Sequence, residues 1–135
     1  MATATESLTQ FVGFFRRRYD DLTVFEVHGV VTPARVVSLF RQFLANPTPF
    51  ALWDMRGCSI SSFADADLRW VVGQLVQLDG NGRRRANGRS AFVCPRDADA
   101  AAMRKLIACA EADDYGIHLA HFRDIDDARC WLAEL

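Results

Sequence analysis

The segment "FALWDMRGCSISSFADADLRW" (residues 50–70) holds the densest set of side chains able to do chemistry. Asp54 closes an apolar run, Arg56 follows it, and Ser59, Ser61 and Ser62 lead into an acidic stretch. A carboxylate at a strand end is placed to fix a ligand or an incoming loop, because open α/β sheets bind ligands at the carboxyl ends of their strands. The same carboxylate can instead pair with Arg56 or accept backbone N–H groups in ordinary turn geometry. Serines ahead of a helix offer a hydroxyl for phosphorylation where the helix dipole and free N–H groups favour an anion. They serve equally well as plain helix caps, with Ser62 or Asp65 as the cap.

The remaining reactive residues are scattered. His118 and His121 lie three apart on one expected strand, so they face opposite sides and do not chelate one metal. His28 ends the second expected strand with no nucleophile–acid pair to serve. Cys58, Cys94, Cys109 and Cys130 include no C-x-x-C pair, which excludes zinc-ribbon and thioredoxin-type sites on spacing. Buried reduced thiols are the simpler reading. The glycines of "DGNGRRRANGR" (79–89) do not form a dinucleotide fingerprint after a strand. Arg16-Arg17-Arg18 and Arg83-Arg84-Arg85 are candidate anion, RNA or lipid-surface contacts. The first triplet alternates faces along its strand, and neither has aromatics spaced for base stacking.

Sixteen Lys+Arg against 17 Asp+Glu give a net charge of −1, without the basic excess of a nucleic-acid binder. Half of the 135 residues are hydrophobic, enough for the core of one domain. No apolar run approaches the ~20 residues of a membrane span, and "MATATESLTQ" does not read as a signal peptide. The expectation is a cytoplasmic protein with no cofactor or metal, no nucleic-acid partner and no membrane span.

The elements that must position these residues read β-β-α-β-α-β-α-β-α. Residues 1–9 read as a flexible leader, and 10–135 as a single domain. "QFVGFFRRRY" and "LTVFEVHG" are aromatic and β-branched strands about an Asp20-Asp21 turn. "VTPARVVSLFRQFLANP" is a helix with Thr32 as N-cap and Pro33 at the first position, stopped by Asn46-Pro47. Val36, Phe40, Phe43 and Leu44 share one of its faces. Strands follow at 50–55, 90–95 and 117–122, and helices at 65–78 and 97–113. Asp97 and Asp99 suit the positive end of the third helix. The last helix, "DIDDARCWLAEL", has Asp124 as cap, with Ile125, Ala128, Leu132 and Leu135 in one stripe and Trp131 flanking it. Alternating strands and helices imply an α/β fold with a mostly parallel, mixed five-stranded sheet and four helices.

This order, with "FEVHGVVTPARV", "LWDMRG" and above all "FRDIDDARCWL", resembles the SpoIIAA-like branch of the STAS proteins, the sulfate-transporter and anti-sigma-factor-antagonist domains. The resemblance covers about residues 11–135. It implies helices mainly on one face of the sheet. It also implies the habit of small stand-alone bacterial proteins that act through protein contact or bind nucleotides or small apolar ligands. The chain departs from the family's Asp-Ser phosphoacceptor signature. Counted from Asp54, the acceptor position falls on Phe63, and Ser61 or Ser62 serves only if the loop is shifted.

Both faces of the 50–55 strand are largely apolar: Ala51, Trp53 and Met55 on one, Phe50, Leu52 and Asp54 on the other. Burial on both sides, a greasy ligand or a partner would each explain that. No catalytic constellation is visible. The first expectation is therefore a non-enzymatic interaction or regulatory module, homodimeric or bound to another protein. Its surface would use Asp54, Arg56, Ser59, Ser61, Ser62, Phe63, Trp53 and Trp70. The alternative is a carrier or sensor of a small apolar ligand or nucleotide, in a cavity between sheet and helices near Trp53, Trp70 and Phe63.

Overall fold

The computed structural model describes residues 7–11, 14–80 and 87–134. In chain order the elements are β1 (Ser7–Phe11), β2 (Phe14–Arg18), β3 (Leu22–Val30), α1 (Pro33–Ala45), β4 (Phe50–Ser59), α2 (Asp65–Asp79), β5 (Arg89–Val93), α3 (Asp97–Ala112), β6 (His118–Phe122) and α4 (Ile125–Ala133). The α/β class, the mixed sheet and the four helices are as expected. The five expected strands stand in the expected order, and a sixth, β1, precedes them and takes Gln10 and Phe11 from the first expected strand, leaving Phe14–Arg18 as β2. Residues 7–9, read above as leader, belong to β1, which pairs antiparallel with β2. A polar edge strand of five residues carries little hydrophobic pattern to announce itself.

The strands lie side by side in chain order, β1-β2-β3-β4-β5-β6. The first two pairings are antiparallel and the last three parallel. Each parallel connection moves one place in the same direction, and right-handed crossovers then put α1, α2 and α3 on one face. The larger core lies there: Phe25, Val27, Trp53 and Met55 from the sheet meet Phe40, Phe43, Leu68, Val72, Met103 and Leu106 from the helices. Each fully buried Leu or Phe contributes about 1.5–3 kcal/mol. α4 follows the last strand and crosses to the other face, where Ala128 and Leu132 pack on Leu52, Ala91 and Val93. The second apolar face of β4 is thus covered by the chain's own C-terminal helix, not by a partner.

Local chemistry accounts for the boundaries. Thr32 caps α1 by accepting from Arg35 N at 3.2 Å, with Pro33 at the first turn as expected. Gly80 ends α2 in the left-handed conformation, at φ 56°, where a Cβ would be penalised. Asp124 caps α4 by accepting from Asp126 N at 2.7 Å. Leu135, the last member of the expected stripe, lies outside the described residues, as do Arg83, Arg84 and Arg85.

Candidate functional site

β4 is the longest strand and runs past the expected end at Met55 to Ser59. Its pairing with β3 steps from Glu26↔Asp54 to His28↔Gly57, so Met55 and Arg56 together oppose Val27. One extra residue in a strand reverses the alternation beyond it. Trp53 and Met55 therefore share the helix-covered core with Cys58 and Ile60, three and five residues past Met55. Gly57 lies at this bulge. A Cβ there would come within 2.5 Å of His28 Nδ1 and 3.1 Å of Val27 O.

The bulge sets the geometry of Asp54 and Arg56. Arg56 donates from Nε to Asp54 Oδ1 and from Nη2 to Oδ2, both at 2.8 Å, and its backbone N–H reaches Oδ1 at 3.2 Å. The Asp54 side chain is buried and that of Arg56 half exposed. Burial alone would raise the Asp54 pKa. The Arg56 hydrogen bonds and charge, with a contribution from His28, outweigh it and hold the carboxyl below its ordinary value. Asp54 is thus an ionised partner of Arg56 and the adjoining turn, one of the two uses its position offered.

A second carboxylate governs the serine loop. Asp99 Oδ1 accepts from Ser59 Oγ at 2.7 Å, Ile60 N at 2.9 Å and Ser61 N at 3.1 Å. Its Oδ2 accepts from Arg96 Nε at 2.7 Å. Arg96 also donates to the carbonyls of Arg56 and Cys58, and Ser59 and Ser61 share a hydroxyl bond of 2.9 Å. Asp99 is 3% exposed, and its pKa is lowered because bonds from Ser59, Ile60 and Arg96 overcome the opposing effect of burial. The first turn of α3 is thereby fastened to the end of β4. Sequence reading assigned Asp99 only to the helix dipole, since a contact spanning 40 residues has no local signature.

The serines therefore divide. Ser59 and Ser61 belong to the Asp99 clamp, while Ser62 is exposed in the turn that follows. Neither expected residue caps α2. Ala64 holds the cap position, and Asp67 Oδ2 accepts from its backbone N–H at 2.8 Å. Ser62 lies two residues before the cap position and Asp65 one residue after it, already in the first turn.

Trp53, Phe63 and Trp70 do not form one group. Trp53 is 6% exposed and lies in the row Phe25–Trp53–Phe92 across three adjacent strands. Its ring stacks on Phe25 at 4.2 Å and lies nearly parallel to Phe92 at 6.3 Å. An apolar cavity of about 50 Å³ opens between this row and helices α1, α2 and α3, with Trp53 and Phe63 in its wall. Trp70 is 46% exposed and absent from that wall. The inward stripe of α2 is Leu68, Val71, Val72 and Leu75, which turns Trp70 towards solvent.

The other candidates resolve simply. His28 is half exposed, edge-on to Phe15 at 5.6 Å and 3.9 Å from Glu26 Oε2. His118 and His121 sit on opposite faces, opposite Arg89 and Phe92 respectively. Burial, then Arg104 and Arg123, lower the His121 pKa. Arg16 and Arg18 face α1 and line a second hollow of about 120 Å³ with Thr23, Phe43 and Asn46. Arg18 donates to the Asn46 carbonyl at 2.6 Å at the negative end of α1, a poor setting for an anion. Burial, with the Asp99 charge, pushes the Cys58 thiol up to about 11 and the Cys94 thiol to about 12, far from a reactive thiolate. Among the described residues no helix is long and apolar enough to cross a membrane. The strand order never reverses, so the sheet lacks the switch-point crevice where doubly wound folds bind dinucleotides.

Compared with known proteins, the chain matches no protein-family profile, no curated protein and no solved structure.

Proposed function

We propose that this chain is a non-enzymatic interaction module of STAS-like, SpoIIAA-like type. It would act by protein contact through the outer face of α2 and the turn before it. The observation that carries the reading is Trp70. A tryptophan 46% exposed at mid-helix is an uncommon use of the most apolar-rich side chain and the strongest type of contact anchor. One turn on, Gly73 leaves open space beside it, since a Cβ there would meet nothing within 4 Å. The charged groups at the strand ends fit the same reading. Asp54 and Asp99 are spent on Arg56, Arg96 and backbone N–H groups, which shape a fixed surface and leave neither carboxylate as a free acid or base.

In this reading Ser62 is the serine suited to modification. A phosphate on Ser59 or Ser61 would place a second anion against Asp99, whereas Ser62 lies outside the clamp. The partner is a second copy of this chain or another protein, in a cytoplasmic setting.

Replacing Trp70 by a photo-crosslinking phenylalanine derivative tests the contact directly. In host cells the expected outcome is one discrete adduct, either a homodimer or a single heterologous partner. The same probe at exposed Arg129, on α4 across the sheet, should give less of it. Equal, diffuse labelling from both positions, together with a strictly monomeric protein at high concentration, would refute the proposal.

A further inference from the structure

The cavity between the sheet and α1–α3 has an almost wholly apolar wall. Three of its wall residues carry polar atoms: Trp53, Ser90 and Tyr115. Tyr115 Oη donates to Asp79 Oδ2 at 2.7 Å, so its polar end is engaged away from the cavity. Ser90 has a partner of its own. Trp53 differs, because its Nε1–H is buried without a hydrogen-bond partner. The surrounding rings of Phe25, Phe40, Phe43 and Phe92 offer it no oxygen or nitrogen acceptor.

Buried indole N–H groups ordinarily find a partner, so an orphan one on a cavity-wall residue is a donor still open to an acceptor. Water is a poor candidate occupant, since a buried water needs two to four polar partners and this wall offers one free donor. The opposite demands of the site are therefore apolar bulk and a single acceptor.

We infer that this cavity binds a compact, uncharged apolar molecule whose single hydrogen-bond acceptor, a carbonyl or ether oxygen, takes the proton of Trp53 Nε1. A carboxylate is excluded, because no cation lines the cavity to meet its charge. Size is limited in the same way. A void of about 50 Å³ admits a few heavy atoms as it stands. Met55 and Met103 in the wall are unbranched and adaptable, and Phe63 is half exposed, so these are the side chains that must move aside for a five-membered ring to enter. This site is separate from Trp70 and stands or falls independently of the contact surface.

The test uses two probes of one shape: cyclopentanone, and methylenecyclopentane, in which a CH2 group replaces the oxygen. Nitrogen–proton NMR of the full chain resolves the three indole N–H signals, and Trp→Phe variants assign them. Cyclopentanone should move the Trp53 signal downfield in a saturable way and leave those of Trp70 and Trp131 in place. Methylenecyclopentane should bind without the downfield shift. In Trp53→Phe, which keeps an aromatic ring in the row, the preference for the ketone over the alkene should fall about tenfold, the scale of one hydrogen bond. If Trp53→Phe does not fold, the wild-type spectra decide alone. A Trp53 signal that neither probe moves up to its solubility limit overturns the inference. So does binding of both probes with the same shift.

Discussion

Asp99→Ala is the sharpest single perturbation of this structure. Asp99 is one carboxylate holding four donors: Ser59 Oγ, Ile60 N, Ser61 N and Arg96 Nε. A hydrogen bond to a charged group contributes about 1.5–3 kcal/mol, and the contributions do not add when groups can rehydrate. Ser59 and Ser61 are exposed and regain water. Arg96 is half exposed and keeps two carbonyl acceptors. The Ile60 N–H has no such recourse, because Ile60 is 2% exposed. The expected loss is about 3–4 kcal/mol, near the lower end of the range for breaking a buried ion pair. For a chain of this size that is a fall of about 10–15 °C in Tm. Asp99→Asn keeps one acceptor oxygen and should lose about half as much.

The pH dependence gives the stricter check. The folded pKa of Asp99 lies below its unfolded value, so its contribution is complete above about pH 4 and disappears as pH falls through the folded pKa. Urea titrations at pH 7 and pH 3 should therefore show a large gap between wild type and Asp99→Ala at pH 7 and a smaller one at pH 3. A melting point within about 2 °C of wild type, or a gap that fails to narrow in acid, would refute the clamp.

Thr32→Ala removes the α1 cap and should cost about 1 kcal/mol, with faster amide exchange confined to the first turn of α1. Trp131→Ala should cost about 2–3 kcal/mol, less than a fully buried ring, because Trp131 is half-buried against Phe122 at 5.7 Å and under the Arg89 guanidinium at 5.2 Å; an unchanged denaturation midpoint would contradict that packing. A thiol reagent at pH 8 should modify exposed Cys130 first, and Cys58 and Cys94 only at the rate of unfolding. Rapid loss of all four thiols in native buffer would show that the β4–β5 core opens easily.

Elements with a strong period or a proline were legible in the sequence. α1 carried Thr32, Pro33 and a Phe40–Phe43–Leu44 stripe, and α4 carried Asp124 and the Ile125–Ala128–Leu132 stripe. The two-sided apolarity of β4 left burial, a greasy ligand and a partner open for its second face, and α4 is what covers it. The bulge at Met55–Arg56 stayed hidden because its effect is a change of phase: "RGCS" reads as loop once the alternation is reset. The Asp54–Arg56 pair was readable because its partners are two residues apart. The Asp99 clamp and the orphaned Trp53 N–H were not, because each depends on neighbours brought together by the sheet. Trp70 was expected near the cavity with Trp53 and Phe63, and its helical phase sends it the other way.

The sequential strand order also bears on how the chain is made. Each parallel strand can dock on its predecessor as it leaves the ribosome, with its crossover helix covering the first face at once. The second face has no such escort. Leu52, Ala91 and Val93 stay bare until residues 125–133 emerge and α4 folds back over them. A ribosome stalled before that point would hold a nascent chain with a formed sheet and one greasy side. That intermediate would expose an apolar face that the finished protein hides.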